Sequence, residues 1–159
     1  MTRNIDLPVL VQGYLHRLER KVRRKSYIIP EYHQKQCVFV HIPKNAGTSV
    51  KKTLFGNARI THRLAMDYYQ DEPEAFDRYF SFAFVRNPFD RLVSAYFFLM
   101  QGGKNDGDAA FRDQHLLGYK DFSDFVLHGL GRPEIMAYWH FMPQYYFVVD
   151  FKGRVILDY

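Results

Sequence analysis

The chain has 159 residues, of which 47% are hydrophobic, and it carries a formal net charge of +5 at pH 7. A chain of this length and composition can bury one hydrophobic core, so we expect one domain. The single cysteine, Cys37, excludes an internal disulfide, and without a run of about 20 apolar residues the sequence predicts no membrane span.

Residues 1–35 are predicted to form a basic helix and a connection. Between Val9 and Lys25 the apolar residues follow a helical spacing, and six other positions are Arg or Lys. The pattern indicates a helix docked through its apolar stripe; contact with an anionic glycan or membrane surface is the alternative, and nucleic acid a weaker third. The segment lacks the apolar core of a secretory signal, which together with the lone cysteine favours a cytoplasmic protein.

An anion-binding turn is predicted where the first strand ends. An apolar run predicts a buried strand over Gln36–Ile42, which Pro43 ends, and a helix that continues to Phe55. The free N–H groups and positive dipole end of such a helix attract anions, and Lys44 adds a full charge. In the triphosphate P-loop the lysine directly follows the last glycine. Here Lys44 precedes Gly47, so we expect a phosphate-like ligand without magnesium-triphosphate geometry.

A second junction between a strand and a helix follows later. Phe80–Val85 is apolar at nearly every position, which predicts a strand buried on both faces. Pro88 is favoured in the first turn of a helix and predicts a start there. Arg86 leaves the strand end, and Ser94 lies eight residues later on the helix. The planar fork of arginine suits a phosphate. The buried helix face is predicted to contain Leu92, Val93, Tyr96, Phe97 and Met100.

Further short elements complete the pattern. Gln101–Asp108 is glycine-rich and predicts a flexible loop, either a lid over an acceptor site or a plain surface connection. One helix is expected after a cap at Asp121 or Ser123, another from Pro133, and a hairpin over residues 145–158. The alternation of strands and helices predicts an α/β sheet with at least three parallel strands.

The two junctions together resemble those of sulfotransferases that use 3′-phosphoadenosine 5′-phosphosulfate (PAPS). Pro-Lys-x-x-Gly-Thr-Ser at 43–49 resembles their 5′-phosphosulfate loop, and Arg86 followed by Ser94 resembles their 3′-phosphate signature. The resemblance is to the carbohydrate (glycan) sulfotransferases of the family 2 type and covers residues 36–159. It implies a P-loop-like, three-layer α/β fold with a central, mostly parallel sheet flanked by helices. It also implies that the C-terminal part of the usual domain is missing.

The resemblance also implies the site. Lys44 would stabilise the leaving group, and His62, at the end of a short strand predicted at Ala58–Thr61, would be the general base. The ordinary alternative for His62 is a surface histidine at a strand end. No metal is expected, because the histidines are scattered and one cysteine cannot complete a zinc site. The residues implied to bind PAPS are Lys44, Asn45, Ala46, Gly47, Thr48, Ser49, Arg86 and Ser94.

The expected activity is in-line transfer of a sulfuryl group from PAPS to a hydroxyl, and the expected acceptor is a carbohydrate or glycan. His140 and Gln144 weakly resemble an element that lines the acceptor side in this family. One alternative is a non-catalytic module that binds the nucleotide or a sulfated glycan. The second alternative is a P-loop kinase-like nucleotide-binding protein. The sequence predicts neither the acceptor's identity nor the oligomeric state.

Overall fold

A computed structural model describes residues 26–159 as two compact units. The first unit contains residues 26–85 and 144–159, and the second contains residues 86–143. The basic helix predicted at Val9–Lys25 lies outside the described residues. None of the helices within residues 26–159 combines the length and the apolar character needed to span a bilayer.

Two short parallel strands form the centre of the first unit. β1 (Cys37–Phe39) pairs with β2 (Phe80–Phe82), so that Cys37 lies opposite Phe80. Both strands are shorter than predicted, although the Val40 N–H extends the ladder by donating to the Phe82 carbonyl at 2.9 Å. Within residues 26–159 the sheet has two strands, fewer than the three expected. The parallel pairing agrees with the predicted α/β class, and the P-loop-like three-layer arrangement stays a prediction.

The last residues of the chain lie along the other edge of β2. The Ala83 N–H donates to the Tyr159 carbonyl at 2.9 Å, and the Asp158 N–H donates to the Ser81 carbonyl at 3.0 Å. The Asp158 carboxylate also accepts from the Ser81 N–H at 2.8 Å. This segment therefore satisfies backbone groups that an open sheet edge would otherwise expose.

Four helices lie in the described part of the first unit: α1 (Pro30–Lys35), α2 (Gly47–Phe55), α3 (Ala65–Asp71) and α4 (Pro73–Arg78). α1 and α4 each begin with a proline. Proline has no N–H group, but the N–H groups of the first turn have no acceptor within the helix, so no helical hydrogen bond is lost. The sequence analysis missed α1 because its residues are mostly polar. The hydroxyl of its buried Tyr32 donates to the Phe39 carbonyl at 2.8 Å and links α1 to β1.

The strand predicted at Ala58–Thr61 is wrong. No strand lies between α2 and α3, and the Ile60 N–H donates to the Ala58 carbonyl at 3.0 Å. This local bond uses a donor that a neighbouring strand would have needed. The predicted end of α2 is confirmed, because Gly56 follows it with a φ of 60°, a conformation that glycine adopts without strain.

The second unit is helical within the described residues: α5 (Pro88–Met100), α6 (Asp106–His115), α7 (Phe122–His128) and α8 (Pro133–Met136). The predicted starts at Pro88 and Pro133 are confirmed, whereas the predicted buried face of α5 is wrong at Val93 and Phe97, which are exposed. Asp121 caps α7 by accepting from the Asp124 N–H at 2.9 Å. The core of this unit consists of Ala95, Tyr96, Leu99, Phe111, Leu116, Phe125, Ile135 and Phe141.

The glycine-rich segment before α6 is a turn that a buried carboxylate holds in place. The Asp108 side chain accepts from the Lys104 N–H at 2.9 Å and from the Tyr138 hydroxyl at 2.7 Å. Gly103 has a φ of 65°, and a Cβ added there would lie 2.1 Å from the Asp108 Cβ. The predicted loop over Gln101–Asp108 is therefore shorter than expected, because α6 begins at Asp106.

The hairpin predicted over residues 145–158 is shorter in the structure, because its first predicted strand is mostly a 3₁₀ helix. Gln144–Phe147 is a 3₁₀ helix, after which Val149 pairs with Val155 in an antiparallel bridge. The Asp150 N–H donates to the Arg154 carbonyl at 2.8 Å, which closes the hairpin turn.

Candidate functional site

The turn between β1 and α2 has the backbone geometry of an anion cradle. Lys44 and Ala46 have φ angles of 69° and 59°. Such angles cost a residue with a Cβ about 1–3 kcal/mol and concentrate at functional sites. α2 begins at Gly47, and the Ser49 N–H donates to the Ala46 carbonyl at 3.0 Å. The N–H groups before Ser49 therefore precede the hydrogen-bonded turns, at the positive end of the helix.

The side chains around this cradle are cationic or hydroxylic. Lys44 is half-buried, and the hydroxyl residues Thr48 and Ser49 are exposed in the first turn of α2. That turn contains no acidic residue. The N-terminus of α2 therefore lacks the carboxylate that often neutralises a helix dipole, and its charge favours an oxyanion ligand.

The Asn45 side chain fixes the cradle from within the unit. Asn45 is buried, and its Nδ2 donates to the Phe84 carbonyl at 2.7 Å and to the Gln144 Oε1 at 2.6 Å. The two bonds connect the turn to the segment after β2 and to the 3₁₀ helix. Asn45 therefore positions the turn through its side chain and leaves ligand contacts to its backbone.

Gly47 is required by a close approach of the His41 ring. A Cβ at position 47 would lie 1.9 Å from the His41 Cδ2 and 2.0 Å from its Nε2. The ring stacks on Phe39, with centroids 5.6 Å apart, and also contacts His62, with centroids 4.4 Å apart. His41 therefore packs between the strand, the cradle and the candidate base.

His62 lies beside the cradle, and one of its ring nitrogens is oriented by the backbone. Its Nδ1 lies 3.0 Å from the His41 carbonyl oxygen. A carbonyl can only accept, so Nδ1 is the donor and the lone pair of the neutral ring lies on Nε2. Asp67 accepts from the Leu64 N–H at 3.0 Å and caps α3. The structure thus places His62 near the turn with the tautomer that a general base at Nε2 requires.

Arg86 and Ser94 belong to the second unit. Arg86 is exposed and directly precedes Asn87, whose side chain caps α5 by accepting from the Phe89 N–H at 3.0 Å. Ser94 is half-buried, seven residues after the cap and so two helical turns along the same face. The arrangement of a strand end, a cap and a helix agrees with the predicted junction. The phosphate-binding roles of both residues stay predictions.

His140 and Gln144, which weakly resemble the acceptor-side element, have different surroundings in the structure. His140 is buried, with its Nδ1 3.9 Å from the Asp108 carboxylate and its ring beside Phe98 and Tyr138. Gln144 binds Asn45. Sequence reasoning did not anticipate Gln144 as a support of the cradle. The only sequence signal for it was its place after Pro143, which carries no information about a partner 99 positions away.

A lysine-bearing turn between a parallel strand and a helix has the features expected of a site for a phosphate- or sulfate-bearing ligand. The family model described as "Sulfotransferase family" matches residues 27–150, and the chain belongs to this family. The resemblance inferred from the sequence is thereby confirmed, and membership supports sulfotransfer activity in general. A search of the curated proteins and a search of the solved structures each found no match.

Proposed function

We propose that the protein transfers a sulfuryl group from PAPS to a hydroxyl of a carbohydrate or glycan. Sulfotransferases of this family use PAPS, which supplies an activated sulfuryl group. The observation that carries the proposal is the turn directly before α2, in which Lys44 and Ala46 have positive φ angles. The cytoplasmic location expected from the sequence stays a prediction.

The cradle fits the 5′ end of such a donor. Without a Cβ, Gly47 lets the His41 ring pack against the turn, while the backbone from Asn45 to Ser49 offers N–H donors. Lys44 would neutralise the charge that develops on the bridging oxygen as the bond to sulfur breaks, and the hydroxyls of Thr48 and Ser49 would bind the non-bridging oxygens. Because this charge develops in the transition state, Lys44 is expected to affect the rate as well as donor affinity.

His62 is proposed to take the proton of the attacking hydroxyl at Nε2. Its Nδ1–H donates to the His41 carbonyl, so proton transfer would place the positive charge on a ring that this carbonyl stabilises. Arg86 and Ser94 are proposed to bind the 3′-phosphate, for which the planar arginine fork is suited. These roles follow from the family resemblance and from the positions of the residues at the start and second turn of α5.

Donor binding is tested by calorimetry with 3′-phosphoadenosine 5′-phosphate. Lys44→Ala and Arg86→Ala should each weaken binding by about tenfold or more, since each removes a charge-assisted contact of about 1.5–3 kcal/mol. Lys52→Ala is the matched control for Lys44, because Lys52 lies in the last turn of the same helix. Binding of equal strength by both lysine variants would refute the assignment of the cradle. Binding of ATP that depends on Mg²⁺ and competes with PAPS would favour the kinase-like alternative.

Catalysis is tested by transfer of labelled sulfate from PAPS to a panel of carbohydrates. We expect His62→Asn to reduce kcat by about 10²-fold or more while donor affinity is kept. Asparagine retains a donor near the position of Nδ1 and lacks Nε2. His128→Asn, at an exposed histidine of the second unit, is the matched control. Undiminished transfer by His62→Asn would exclude its role as base, and donor binding without transfer to any acceptor would favour a non-catalytic module.

A further inference from the structure

A second polar cavity lies in the first unit, apart from the anion cradle. Its volume is about 70 Å³, several times the roughly 10–15 Å³ that one water needs. His62 does not line it, although residues on both sides of His62 do. His62 instead contacts the His41 ring, with centroids 4.4 Å apart, on the side of the cradle. The polar side chains that line the cavity include Tyr27, Tyr32, Arg59, Thr61, Arg63 and Tyr68.

The Arg63 side chain stacks on an aromatic ring, and one of its N–H donors has no acceptor in the described part of the chain. Its guanidinium carbon lies 4.4 Å from the centroid of the Tyr27 ring, so the ring covers one face of the group. The Arg63 Nε is buried and has no hydrogen-bond partner among the residues that the structure describes. A buried donor without an acceptor costs about 1–3 kcal/mol, and native proteins contain few. Stacking leaves the in-plane N–H groups available, and these form the fork that binds carboxylates and sulfates.

Within residues 26–159 no carboxylate lines the cavity, although Asp71 and Glu72 accept from the Ser26 hydroxyl at its wall. Arg59 supplies a second guanidinium, and neither arginine takes part in a salt bridge in this part of the chain. The carboxylates of the adjoining helix α3 bind backbone donors and, in the case of Asp71, also the Ser26 hydroxyl at 2.7 Å. Asp67 accepts from the Leu64 N–H at 3.0 Å, and Asp71 accepts from the Ile28 N–H at 3.4 Å. Two cations therefore line a cavity that no carboxylate of the described chain lines.

We propose that this cavity is a second anion site, in which the Arg63 fork binds a carboxylate or sulfate group and Arg59 supplies additional charge. Hydroxyl groups of serine, threonine and tyrosine lie at its wall, and the Thr61 hydroxyl can donate to the same oxygens. Two kinds of ligand carry such an acidic group: a small free oxyanion, and a sugar with a carboxylate or sulfate substituent. The proposal does not depend on sulfuryl transfer, because no residue of the Lys44–Ser49 cradle lines the cavity.

The site is tested by ¹H–¹⁵N NMR of the full chain during titration with sodium sulfate or sodium acetate. The Nε–Hε signal of Arg63, assigned by its loss in Arg63→Lys, should shift saturably with either anion and stay in place with sodium chloride at the same ionic strength. Arg78 provides an internal control, because its guanidinium also lies over a tyrosine ring, at 5.4 Å from the centroid, and does not line the cavity. Its signal should not shift.

Variants separate this cavity from the cradle. Arg59→Gln should weaken the sulfate dependence of the Arg63 signal by about threefold or more, the loss expected for one partly exposed charge. Lys44→Ala should leave that dependence unchanged, so failure of the cradle assignment and failure of this proposal are distinguishable. The proposal is overturned by an Arg63 signal that does not move with sulfate or acetate, that moves equally with chloride, or that loses its response in Lys44→Ala.

The two sources of the anion are distinguished in the same titration. A sugar-borne group predicts that glucuronate shifts the Arg63 signal at concentrations about tenfold lower than acetate, because the ring adds contacts. A site for free oxyanions predicts equal or weaker binding of glucuronate. Both results support an anion site. A nuclear Overhauser contact from Arg63 Nε–Hε to water alone, kept in saturating sulfate, would show that the cavity holds solvent and would contradict the proposal.

Discussion

Replacement of Gly47 by alanine tests the packing that supports the cradle. The new Cβ would lie 1.9 Å from the His41 Cδ2 and 2.9 Å from its Cγ. Carbon atoms in ordinary contact are about 3.5–4.0 Å apart, so the ring or the helix must move by about 1.5–2 Å. The ring has little room to move, because it stacks on Phe39 and contacts His62.

The expected cost of Gly47→Ala is that of an overpacked site, about 1–3 kcal/mol in the free energy of unfolding. For a chain of this length that corresponds to a loss of about 2–12 °C in Tm. The unfolded state contributes in the opposite direction, since alanine has less conformational freedom than glycine. Gly118→Ala is the matched control, because no heavy atom lies within 4 Å of a Cβ placed there. Its Tm should stay the same or rise slightly.

The assay is urea unfolding of four proteins: the parent, His41→Ala, Gly47→Ala and the double variant. If the clash with the ring is the cause, Gly47→Ala should cost at least about 1 kcal/mol less in the His41→Ala background, a coupling within the range measured for residues in contact. Equal costs in the two backgrounds would refute the reasoning. Calorimetry on the same proteins then reports whether displacement of the ring also weakens binding of 3′-phosphoadenosine 5′-phosphate.

Three further substitutions probe other contacts. Asp108→Ala should lower the free energy of unfolding by about 3 kcal/mol in urea titrations, because the Lys104 N–H and the Tyr138 hydroxyl lose a charged acceptor. Gln144→Leu removes an acceptor of Asn45 and should weaken donor binding by about fivefold, equivalent to about 1 kcal/mol, in calorimetry. Burial raises the pKa of the Tyr68 phenol above its ordinary value of 10.0. The contribution of Tyr68 to the free energy of unfolding is therefore complete below about pH 10. It declines at higher pH, because the Tyr68 phenol ionises in the unfolded chain before it ionises in the folded one. Tyr68→Phe should flatten the alkaline decline of the urea midpoint, by at most about 1.4 kcal/mol per pH unit.

Each of these expectations has a result that contradicts it. Asp113→Ala, at an exposed position of the same helix as Asp108, should change stability by less than about 0.5 kcal/mol, and an equal loss in both variants would contradict a special role for the buried carboxylate. If Gln144→Leu binds the donor as tightly as the parent does, the hydrogen bond between Asn45 and Gln144 does not support donor binding. If the urea midpoint of Tyr68→Phe declines at alkaline pH as steeply as that of the parent, groups other than Tyr68 cause the decline.

Local signals in the sequence predicted the helix boundaries well. Proline in the first turn correctly marked the starts at Pro88 and Pro133, because its ring fits only that part of a helix. The cradle was located in the same way, by a buried strand that ends before Lys44 and a helix that begins at Gly47. Such features depend on a few neighbouring residues, so the sequence alone carries them.

Elements that depend on distant packing were missed. α6 is largely polar, and the sequence indicated only a glycine-rich loop before it; the helix packs through the buried Phe111, whose ring stacks on Tyr138 with centroids 3.6 Å apart. The strand expected at Ala58–Thr61 failed because a local hydrogen bond satisfied Ile60. The proposed second anion site was missed because its arginines are separated from Tyr27 along the chain.

The Asn45–Gln144 contact joins residues 99 positions apart, and the Ser81–Asp158 contact joins residues 77 positions apart. Closing such long stretches costs chain entropy before any contact compensates for it, which slows folding. During synthesis, the residues of the cradle leave the ribosome long before the residues that fasten it. We therefore expect the cradle to acquire its final shape among the last steps of folding, so that competence to bind a donor reports on completion of the whole first unit.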